Sequence, residues 1–344
     1  MKFFLPFTLS TLFLIAACGE SSNSTCPDPD TDIVLPQDES PHRTNMEWWY
    51  YTGHLWTRAG DRYGFELTIF QTFAGVGDDL QVGYVGHFAI SDPQKKNHVY
   101  AQKIIAPPDV YDGFNLRVED WIIRGNGTQD RLTADMDGFA IDLTCVPTKP
   151  VVFNGQRGII DMGSGKTSFY YSKTRMKVTG TLTIGAVEEE VTGIAWSDHQ
   201  WGDFDVFGSK GWDWFSLQLD DNTELMIFLL HYLDGHTALT GGTFVDADGC
   251  YSHFSDYEIT ALGSWESPYF PNYPDLEPYP YGWDLEVPDH DLTLNIMPVF
   301  EDQEINCCST TLNTYWEGEV EVTGTVGGIG YVELAGYGPW KDGC

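Results

Sequence analysis

The sequence predicts an all-β protein built from two antiparallel β-barrels in tandem. The first observation is alternation: in residues 63–69, YGFELTI, apolar side chains alternate with polar or small ones, as in a strand with one buried face. The second is the presence of Asp-Gly dipeptides, which suit the positive φ of tight hairpin turns. The third is that apolar residues rarely recur at three-and-four spacing, so no segment predicts a convincing helix.

Each predicted strand follows from the same pattern, and the chain length sets their grouping. Alternating or apolar runs recur at residues 139–144, 177–184, 212–219, 225–232, 292–300 and 319–326. Asp-Gly turns occur at 112–113, 137–138, 234–235 and 248–249. A domain typically takes about 150 residues, so a chain of 344 residues favours two barrels. We place a signal peptide at 1–17, a disordered tether at 18–40, and the two barrel domains at 41–205 and 206–344.

Charge and composition exclude two classes of protein. The chain carries 18 basic and 51 acidic side chains, a net charge of −33, which repels phosphate and excludes a nucleic-acid partner. Its 12 Trp, 18 Tyr and 20 Phe exclude a disordered chain, which would lack the apolar surface that offsets ordering entropy. No Gly-rich nucleotide-binding pattern leads from a strand into a helix, so we expect no cofactor. The nine histidines show no paired spacing, so we expect no metal.

The N-terminus predicts export and a lipid anchor. Residues 3–17 form an apolar run that is too short to span a bilayer and suits the hydrophobic region of a signal peptide. The run ends in Ala16-Ala17-Cys18, which resembles a bacterial lipobox, where the cysteine is acylated and becomes the new N-terminus. We therefore expect an exported monomer, anchored by lipid at Cys18, in the outer membrane or periplasm of a bacterium. An ordinary signal peptide with an incidental cysteine is the alternative.

The cysteine count favours disulfides. Six of the seven cysteines remain after Cys18, an even number that is typical of disulfide bonding in an exported chain. Their spacing does not match a zinc knuckle, and it leaves the pairing open. We expect the adjacent Cys307 and Cys308 to bond different partners. A catalytic thiol is disfavoured because no base lies at a recognisable spacing from any cysteine.

The densest group of chemically active side chains lies in residues 193–203, GIAWSDHQWGD. Strand alternation places Asp198 and Gln200 on one face of the predicted strand, and His199 and Trp201 on the other. One interpretation is a polar patch inside an aromatic pocket, where desolvation raises the pKa of Asp198 and lets this acid deliver a proton. The alternative is a buried hydrogen-bond cluster that locks the two domains together.

A second aromatic group lies near the start of the first domain. Four consecutive aromatic residues, 48–51, follow Glu47. They cannot all face one core, so they serve either two apolar surfaces or one core and one ligand cavity. Glu47 is either a buried acid or the partner of Arg43 across a strand end. Residues 225–230, LMIFLL, are apolar throughout, which indicates a strand covered on both faces at the junction of the barrels.

Six motifs follow one another between about residues 41 and 338. They are EWWY at 47–50, YYS at 170–172, GIAWSDHQWG at 193–202, GWDWF at 211–215, YWEG at 315–318 and GYVELAGY at 330–337. In this order they resemble the AttH/CrtC family. Its members include carotenoid 1,2-hydratases, related fungal cyclisation enzymes and exported bacterial proteins labelled as hydrolases. The resemblance implies two lipocalin-like barrels, in agreement with the fold predicted from periodicity.

The resemblance also implies a ligand and a set of site residues. The ligand is apolar, often a polyene or isoprenoid, and binds between the barrels, where an acid protonates an alkene and water captures the tertiary cation. The motif positions imply Asp198 as the acid, His199 as its proton partner and Trp201 as a cation-stabilising ring. Tyr232 and Asp234 form a second pair that could share proton transfer, although an Asp-Gly dipeptide is also an ordinary turn. The remaining candidates, for ligand binding, are Glu47, Trp48, Trp49, Tyr50, Trp196, Gln200, Trp212, Trp214 and Trp316.

Three classes of function stay open from the sequence. The first is a lyase or isomerase that uses acid catalysis on a carbon–carbon double bond of an unsaturated lipid. The second is a lipocalin-like carrier that holds the same molecule without chemistry. Asp198→Asn separates these two, because it removes turnover from the enzyme and changes little in the carrier. The third is a secreted hydrolase, which is least supported because no Gly-x-Ser-x-Gly motif is present.

Overall fold

The computed structural model describes residue 26 and residues 29–74, 81–109, 111–163, 165–204, 209–232, 237–271, 273 and 276–340. Within these residues the protein forms 22 strands and short 3-10 turns at Gln37–Glu39 and Pro288–His290, so the predicted all-β fold class is confirmed. The predicted signal peptide, Cys18 and Asp234 lie outside the described residues. No helix in the described part of the chain is long and apolar enough to cross a membrane.

Twelve antiparallel strands form the first sheet. Their bounds are β1 Met46–Thr57, β2 Arg62–Ala74, β3 Gln81–Asp92, β4 Asn97–Ile105, β5 Asn115–Val118, β6 Trp121–Gly125, β7 Asp130–Met136, β8 Phe139–Pro147, β9 Val152–Phe153, β10 Ile159–Gly163, β11 Lys166–Ile184 and β12 Val187–Gly202. Their order is β4-β3-β2-β1-β12-β11-β8-β7-β6-β5, with β9 and β10 also paired to β11. The sheet curls until its end strands β4 and β5 touch. The curled sheet encloses a core that includes Trp49, Leu55, Phe65, Phe88 and Trp121.

Ten antiparallel strands form the second sheet. Their bounds are β13 Ser209–Leu219, β14 Glu224–Tyr232, β15 Thr237–Val245, β16 Tyr251–Phe254, β17 Glu258–Trp265, β18 Tyr279–Val287, β19 Leu292–Pro298, β20 Glu304–Asn306, β21 Asn313–Gly324 and β22 Gly328–Trp340. Their order is β16-β15-β14-β13-β22-β21-β19-β18-β17, with β20 paired to β21. The end strands β16 and β17 are joined by residues 255–257 alone, so this sheet curls as well. Its core includes Phe215, Leu217, Trp283, Leu294 and Val332.

The two barrels pack against each other through the outer faces of their sheets. Alternation along β1 explains how, since Trp49 points into the first core while its neighbour Tyr50 points to the second barrel. Strand β14 behaves in the same way, with Ile227 in the second core and Met226 in the contact between barrels. This strand is therefore covered on both faces, as its apolar sequence predicts.

Buried polar and charged side chains of the two barrels contact each other at two places. The Lys149 ammonium donates to Glu224 Oε2 over 2.7 Å, and the Arg175 guanidinium donates to the other oxygen of this carboxylate. His54 Nδ1 lies 2.7 Å from Glu319 Oε1 in a second pair that also joins the two sheets. Because each carboxylate is fully buried, removing one partner would leave an uncompensated buried charge or polar group.

One sequence expectation about the cysteines is wrong. Cys26 bonds Cys250 and Cys308 is also disulfide-bonded, but the neighbouring Cys307 is a free thiol. Cys307 is fully buried and points into the contact between the barrels, where its Sγ lies 3.4 Å from His87 Nδ1. Burial also keeps Cys145 free, inside the first core. The disulfide to Cys250 fits an exported protein.

Candidate functional site

A cavity with a volume of about 340 Å³ lies between the two barrels. Strands β1, β2, β3, β10, β11 and β12 line it from the first sheet, and β13, β14, β15, β21 and β22 line it from the second. Most of its wall is apolar or aromatic, with a small number of polar groups, which is the usual composition of a small-molecule site. Both barrels contribute to this wall, so the cavity exists only in the packed pair.

Strand β12 carries the acid of this cavity. Asp198 and Gln200 face the cavity, whereas His199 and Trp201 lie on the opposite face, so the alternation expected from the sequence is present. The pairing of β12 with β11 sets Ser172 directly beside Asp198 across the ladder. Neighbouring strands thus deliver the donors that surround the Asp198 carboxyl group.

The Asp198 carboxyl group accepts three hydrogen bonds. Tyr170 Oη donates to Oδ2 over 2.7 Å, while Ser172 Oγ and Trp196 Nε1 donate to Oδ1 over 2.5 and 2.7 Å. The Trp214 indole, from the second barrel, donates in turn to Tyr170 Oη over 3.1 Å. The carboxyl group is therefore held in one orientation by groups from three strands of both barrels.

Burial decides the protonation state of Asp198. The carboxyl group is fully removed from water, and this desolvation raises its pKa to about 6. The three hydrogen bonds oppose the shift because they favour the charged form, but they do not cancel it. An acid with a pKa of about 6 lies close enough to neutral pH to give up and recover a proton.

A second carboxyl group, Glu333 on β22, reaches the cavity from the other barrel. The pKa of Glu333 is raised to about 7, chiefly by burial; a hydrogen bond from Trp212 opposes this shift, and the negative charge of Asp198 adds to it. A negative charge on Asp198 therefore opposes ionisation of Glu333.

Two further acids lie buried behind the cavity wall, in the contact between the barrels. Burial, with added repulsion from Glu333, raises the pKa values of Glu66 and Glu317 well above the ordinary range. Tyr50 Oη, on the cavity wall, donates to Glu317 Oε1 over 2.7 Å. Burial therefore favours the neutral form of both acids, which reduces the repulsion between them.

The polar end of the cavity is formed by His87 with Tyr315 and Thr310. The Nδ1 atom of His87 lies 2.8 Å from Tyr315 Oη, and its Nε2 atom lies 3.1 Å from Thr310 Oγ1. Burial lowers the pKa of His87 to about 3, which makes the ring a neutral hydrogen-bonding group. His87 can therefore orient a polar atom in the cavity but carries no charge at neutral pH.

The structure distributes the sequence-predicted residues over several places. Trp48, Tyr50, Gln200, Trp212 and Trp214 line the cavity together with Asp198. Trp196 lies behind the wall and acts through its bond to Asp198, whereas Trp49 and Trp316 belong to the two barrel cores. The backbone of Tyr232 ends β14, and Asp234 lies outside the described residues.

Glu47, His199 and Trp201 form a separate cluster inside the mouth of the first barrel. His199 Nε2 lies 2.8 Å from Glu47 Oε1, and His42 Nδ1 lies 2.7 Å from the same oxygen. The Trp201 ring stacks on His42 with centroids 4.2 Å apart. Glu47 thus contacts His42 rather than Arg43, the partner that the sequence suggests as the alternative. In the described part of the chain, His42, Glu47 and His199 form the group of side chains that could hold a metal ion.

Three residues at or beside the cavity carry weak sequence signals. Tyr170 and Ser172 occur in a recognisable motif, but nothing in the motif shows that both donate to Asp198. Glu333 sits between apolar residues in β22, and this pattern alone is compatible with a solvent-facing side chain. Its contact with the cavity depends on the packing of one barrel against the other, which alternation within a strand does not reveal.

Comparison with known proteins agrees with this architecture. A family model described as AttH-like matches residues 26–337. A protein described as AttH from Nitrosomonas europaea is 28% identical, with a TM-score of 0.81 over 90% of this chain and 100% of that chain. Among curated protein sequences, none matches the chain.

Two further solved structures are similar in fold. Kievitone hydratase from Nectria haematococca is 19% identical, with a TM-score of 0.69 over 88% of this chain and 93% of that chain. The crystal structure of CghA with Sch210972 is 11% identical, with a TM-score of 0.55 over 93% of this chain and 96% of that chain. At these identities the two likenesses show a shared fold.

Proposed function

Because this chain belongs to the AttH-like family, as its motifs predict, we propose that it acts by acid catalysis on an apolar, unsaturated ligand. The ligand, of isoprenoid or polyene type, binds in the cavity between the barrels, and Asp198 protonates one of its carbon–carbon double bonds. The observation that carries the proposal is a buried carboxyl group with a pKa of about 6 on the wall of an otherwise aromatic cavity.

Protonation of an alkene has two requirements: the carboxylate that forms must be stabilised, and the acid must be shielded from water before it reacts. The first makes the acid strong enough, and the second keeps it protonated. Burial supplies the second condition for Asp198, and the donors Tyr170 and Ser172 supply the first. These two hydroxyl groups stabilise the carboxylate left after the proton moves to carbon, because hydrogen bonds to a charged acceptor are stronger than those to a neutral one. The donors are preorganised, so little reorganisation accompanies the step.

The carbocation that results needs a stabilising environment that does not react with it. The Trp48, Trp212 and Trp214 rings line the cavity, and indole faces attract a cation more strongly than other aromatic side chains do. The ionised Asp198 adds an opposite charge in the same water-poor space. Hydration then requires one admitted water, and the Asp198 carboxylate left by the first step can take the proton that this water loses, which restores the acid.

The name of kievitone hydratase, whose fold this chain shares, agrees with hydration as the reaction type. Ring closure is the second outcome of the same cation, when an internal double bond rather than water captures it. The lipocalin-like carrier stays the alternative function, since an apolar cavity of this volume can hold a ligand without reacting with it.

Mass spectrometry of bound lipids separates these functions. Purified protein is incubated with a lipid extract of the producing cells, and the bound and released molecules are analysed for wild type and Asp198→Asn. Glu304→Gln is the matched control, because Glu304 is also a buried acid, with a pKa of about 7 and tyrosine and serine donors, but does not line the cavity.

We expect wild type and Glu304→Gln to release a molecule changed by one water or by a ring closure. Asp198→Asn is expected to retain the same molecule unchanged. If wild type and Asp198→Asn instead retain one unaltered lipid, the carrier function replaces the enzyme. If neither binds a lipid, the aromatic wall serves packing and the proposal fails.

We also propose that the protein is exported and held at a membrane by lipid on Cys18. The disulfide between Cys26 and Cys250 supports export. Expressed in bacteria, the wild type should sediment with membranes, and Cys18→Ala should move to the soluble fraction. A wild-type chain found in the soluble fraction would overturn the anchor and leave only an ordinary signal peptide.

A further inference from the structure

The cluster at the mouth of the first barrel brings together three side chains that are far apart in sequence. His42 comes from the segment before β1, Glu47 from β1 and His199 from β12. Their ligand atoms, one from each side chain, all lie within 4.8 Å of one another. Glu47 and His199 are fully buried, whereas the His42 side chain is 22% exposed and faces the outside of the barrel mouth.

The surroundings of His42 show an excess of acceptors. Its Nδ1 atom lies 2.7 Å from Glu47 Oε1, and its Nε2 atom lies 3.5 Å from Asp38 Oδ1. A neutral imidazole has one donor and one acceptor nitrogen, so it would turn a lone pair toward one of these carboxylates. A metal ion on Nδ1 removes the conflict, because the ring then carries its proton on Nε2 and donates it to Asp38.

His199 also has a hydrogen-bonding partner on the side of the ring that faces away from Glu47. Its Nε2 atom faces Glu47, and its Nδ1 atom lies 3.2 Å from Tyr171 Oη. Gln71 Nε2 donates to the second oxygen of Glu47 over 3.1 Å, which fixes the carboxylate plane. Each of the three side chains is thus oriented by a further hydrogen bond, as is usual for metal ligands.

We propose that His42, Glu47 and His199 bind a divalent transition metal ion of the zinc type. Two imidazole nitrogens and one carboxylate oxygen are a donor set that zinc accepts, with a fourth position left for water. The opening beside His42 provides an entry path, and the net charge of −33 raises the local concentration of cations. The isolated spacing of these residues in the sequence explains why they show no metal motif.

The ion would hold the N-terminal segment against the barrel. The turn Gln37–Glu39 precedes His42, and the Glu39 carboxylate accepts from the Lys173 ammonium inside the barrel over 2.9 Å. The carbonyl oxygen of Glu39 also accepts from the Trp49 indole over 2.9 Å. A metal that joins His42 to β1 and β12 adds a third attachment, so it closes the mouth of the first barrel independently of the chemistry in the cavity.

Zinc titration of the tag-free full chain, after treatment with a chelator, tests the proposal. Competition with a chromogenic chelator measures the affinity and the stoichiometry, and Co²⁺ in place of Zn²⁺ reports the coordination number through its visible absorption. Variants Glu47→Gln and His42→Gln each remove one ligand, and Asp38→Asn removes only the outer partner of His42. The control is His54→Gln, because His54 and Glu319 form a buried pair with the same 2.7 Å distance but no third ligand.

We expect one zinc ion per chain in wild type and in His54→Gln, with a four-coordinate Co²⁺ spectrum. Loss of this site is expected in Glu47→Gln and His42→Gln, and Asp38→Asn should weaken it by about 10-fold to 100-fold. If wild type binds zinc only weakly and at several sites that all variants retain, the surface acids are responsible and the proposal is wrong. The zinc titration of wild type can by itself overturn the proposal, so this test does not depend on whether every variant folds.

Discussion

The pH dependence of stability provides a quantitative test of the state of Asp198. The carboxyl group titrates near 3.8 when exposed and at about 6 in the folded protein, because burial disfavours its charged form. Between these two pH values the folded chain keeps a proton that the unfolded chain has released, so the free energy of unfolding falls as pH rises. Below pH 3.8 both states hold the proton, and above about 6 both have lost it.

The magnitude follows from the size of this shift. The difference between about 6 and 3.8 is about 2.2 units, and each unit corresponds to 1.36 kcal/mol. The wild type should therefore lose about 3 kcal/mol relative to Asp198→Asn as pH rises, mostly between pH 4 and 7. The same substitution also relieves the repulsion on Glu333, and this relief acts in the same direction.

Urea unfolding of both proteins, followed by tryptophan fluorescence at a series of pH values, measures this difference directly. The titrating groups other than Asp198 and Glu333 have the same surroundings in both chains, so their contributions cancel to a first approximation. Parallel stability curves for wild type and Asp198→Asn would refute the reasoning, since they would mean that Asp198 is as ionised in the folded chain as in the unfolded one.

Three further perturbations test the contacts around the site and between the barrels. Tyr170→Phe removes a hydrogen bond that lowers the pKa of Asp198, so the upper end of the pH range over which stability falls should move above pH 6; an unchanged upper end would contradict this contact. Glu224→Ala leaves a buried lysine and a partly buried arginine without their carboxylate and should lower the free energy of unfolding in urea by about 3–5 kcal/mol. A negligible change would show that these ion pairs contribute little. Cys250→Ser opens a crosslink that spans 224 residues and should lower the free energy of unfolding by about 2–5 kcal/mol; equal stability would show that the crosslink constrains little.

The fold follows from local patterns because both barrels obey the two-residue period of a strand. Alternation in residues 63–69 predicts the inner face of β2, and the same rule correctly separates Asp198 from His199 on β12. The positive φ of Gly138 and Gly249 confirms two of the predicted Asp-Gly turns. These features depend only on neighbours in sequence or on an adjacent strand.

The remainder of the site depends on contacts between the two sheets. Asp198 and Glu333 lie on strands β12 and β22, which belong to different barrels, so no pattern within one strand predicts that they share a cavity. The family motif groups Asp198 with His199 and Trp201 because they are adjacent in sequence, whereas the pleat sends them to opposite faces. The sequence could not predict that Cys307 is a free thiol for the same reason, because tertiary packing decides which cysteines come close enough to bond.

Deuterium transfer to carbon tests most directly the claim that Asp198 is a proton donor to a cavity-bound alkene. Protein in D₂O is incubated with farnesene, an apolar isoprenoid triene, and the recovered hydrocarbon and any alcohol are analysed by mass spectrometry. The account predicts deuterium on carbon with wild type and with Glu304→Gln, and none with Asp198→Asn. Farnesene that binds to wild type in the cavity but is recovered unlabelled and unaltered would contradict it.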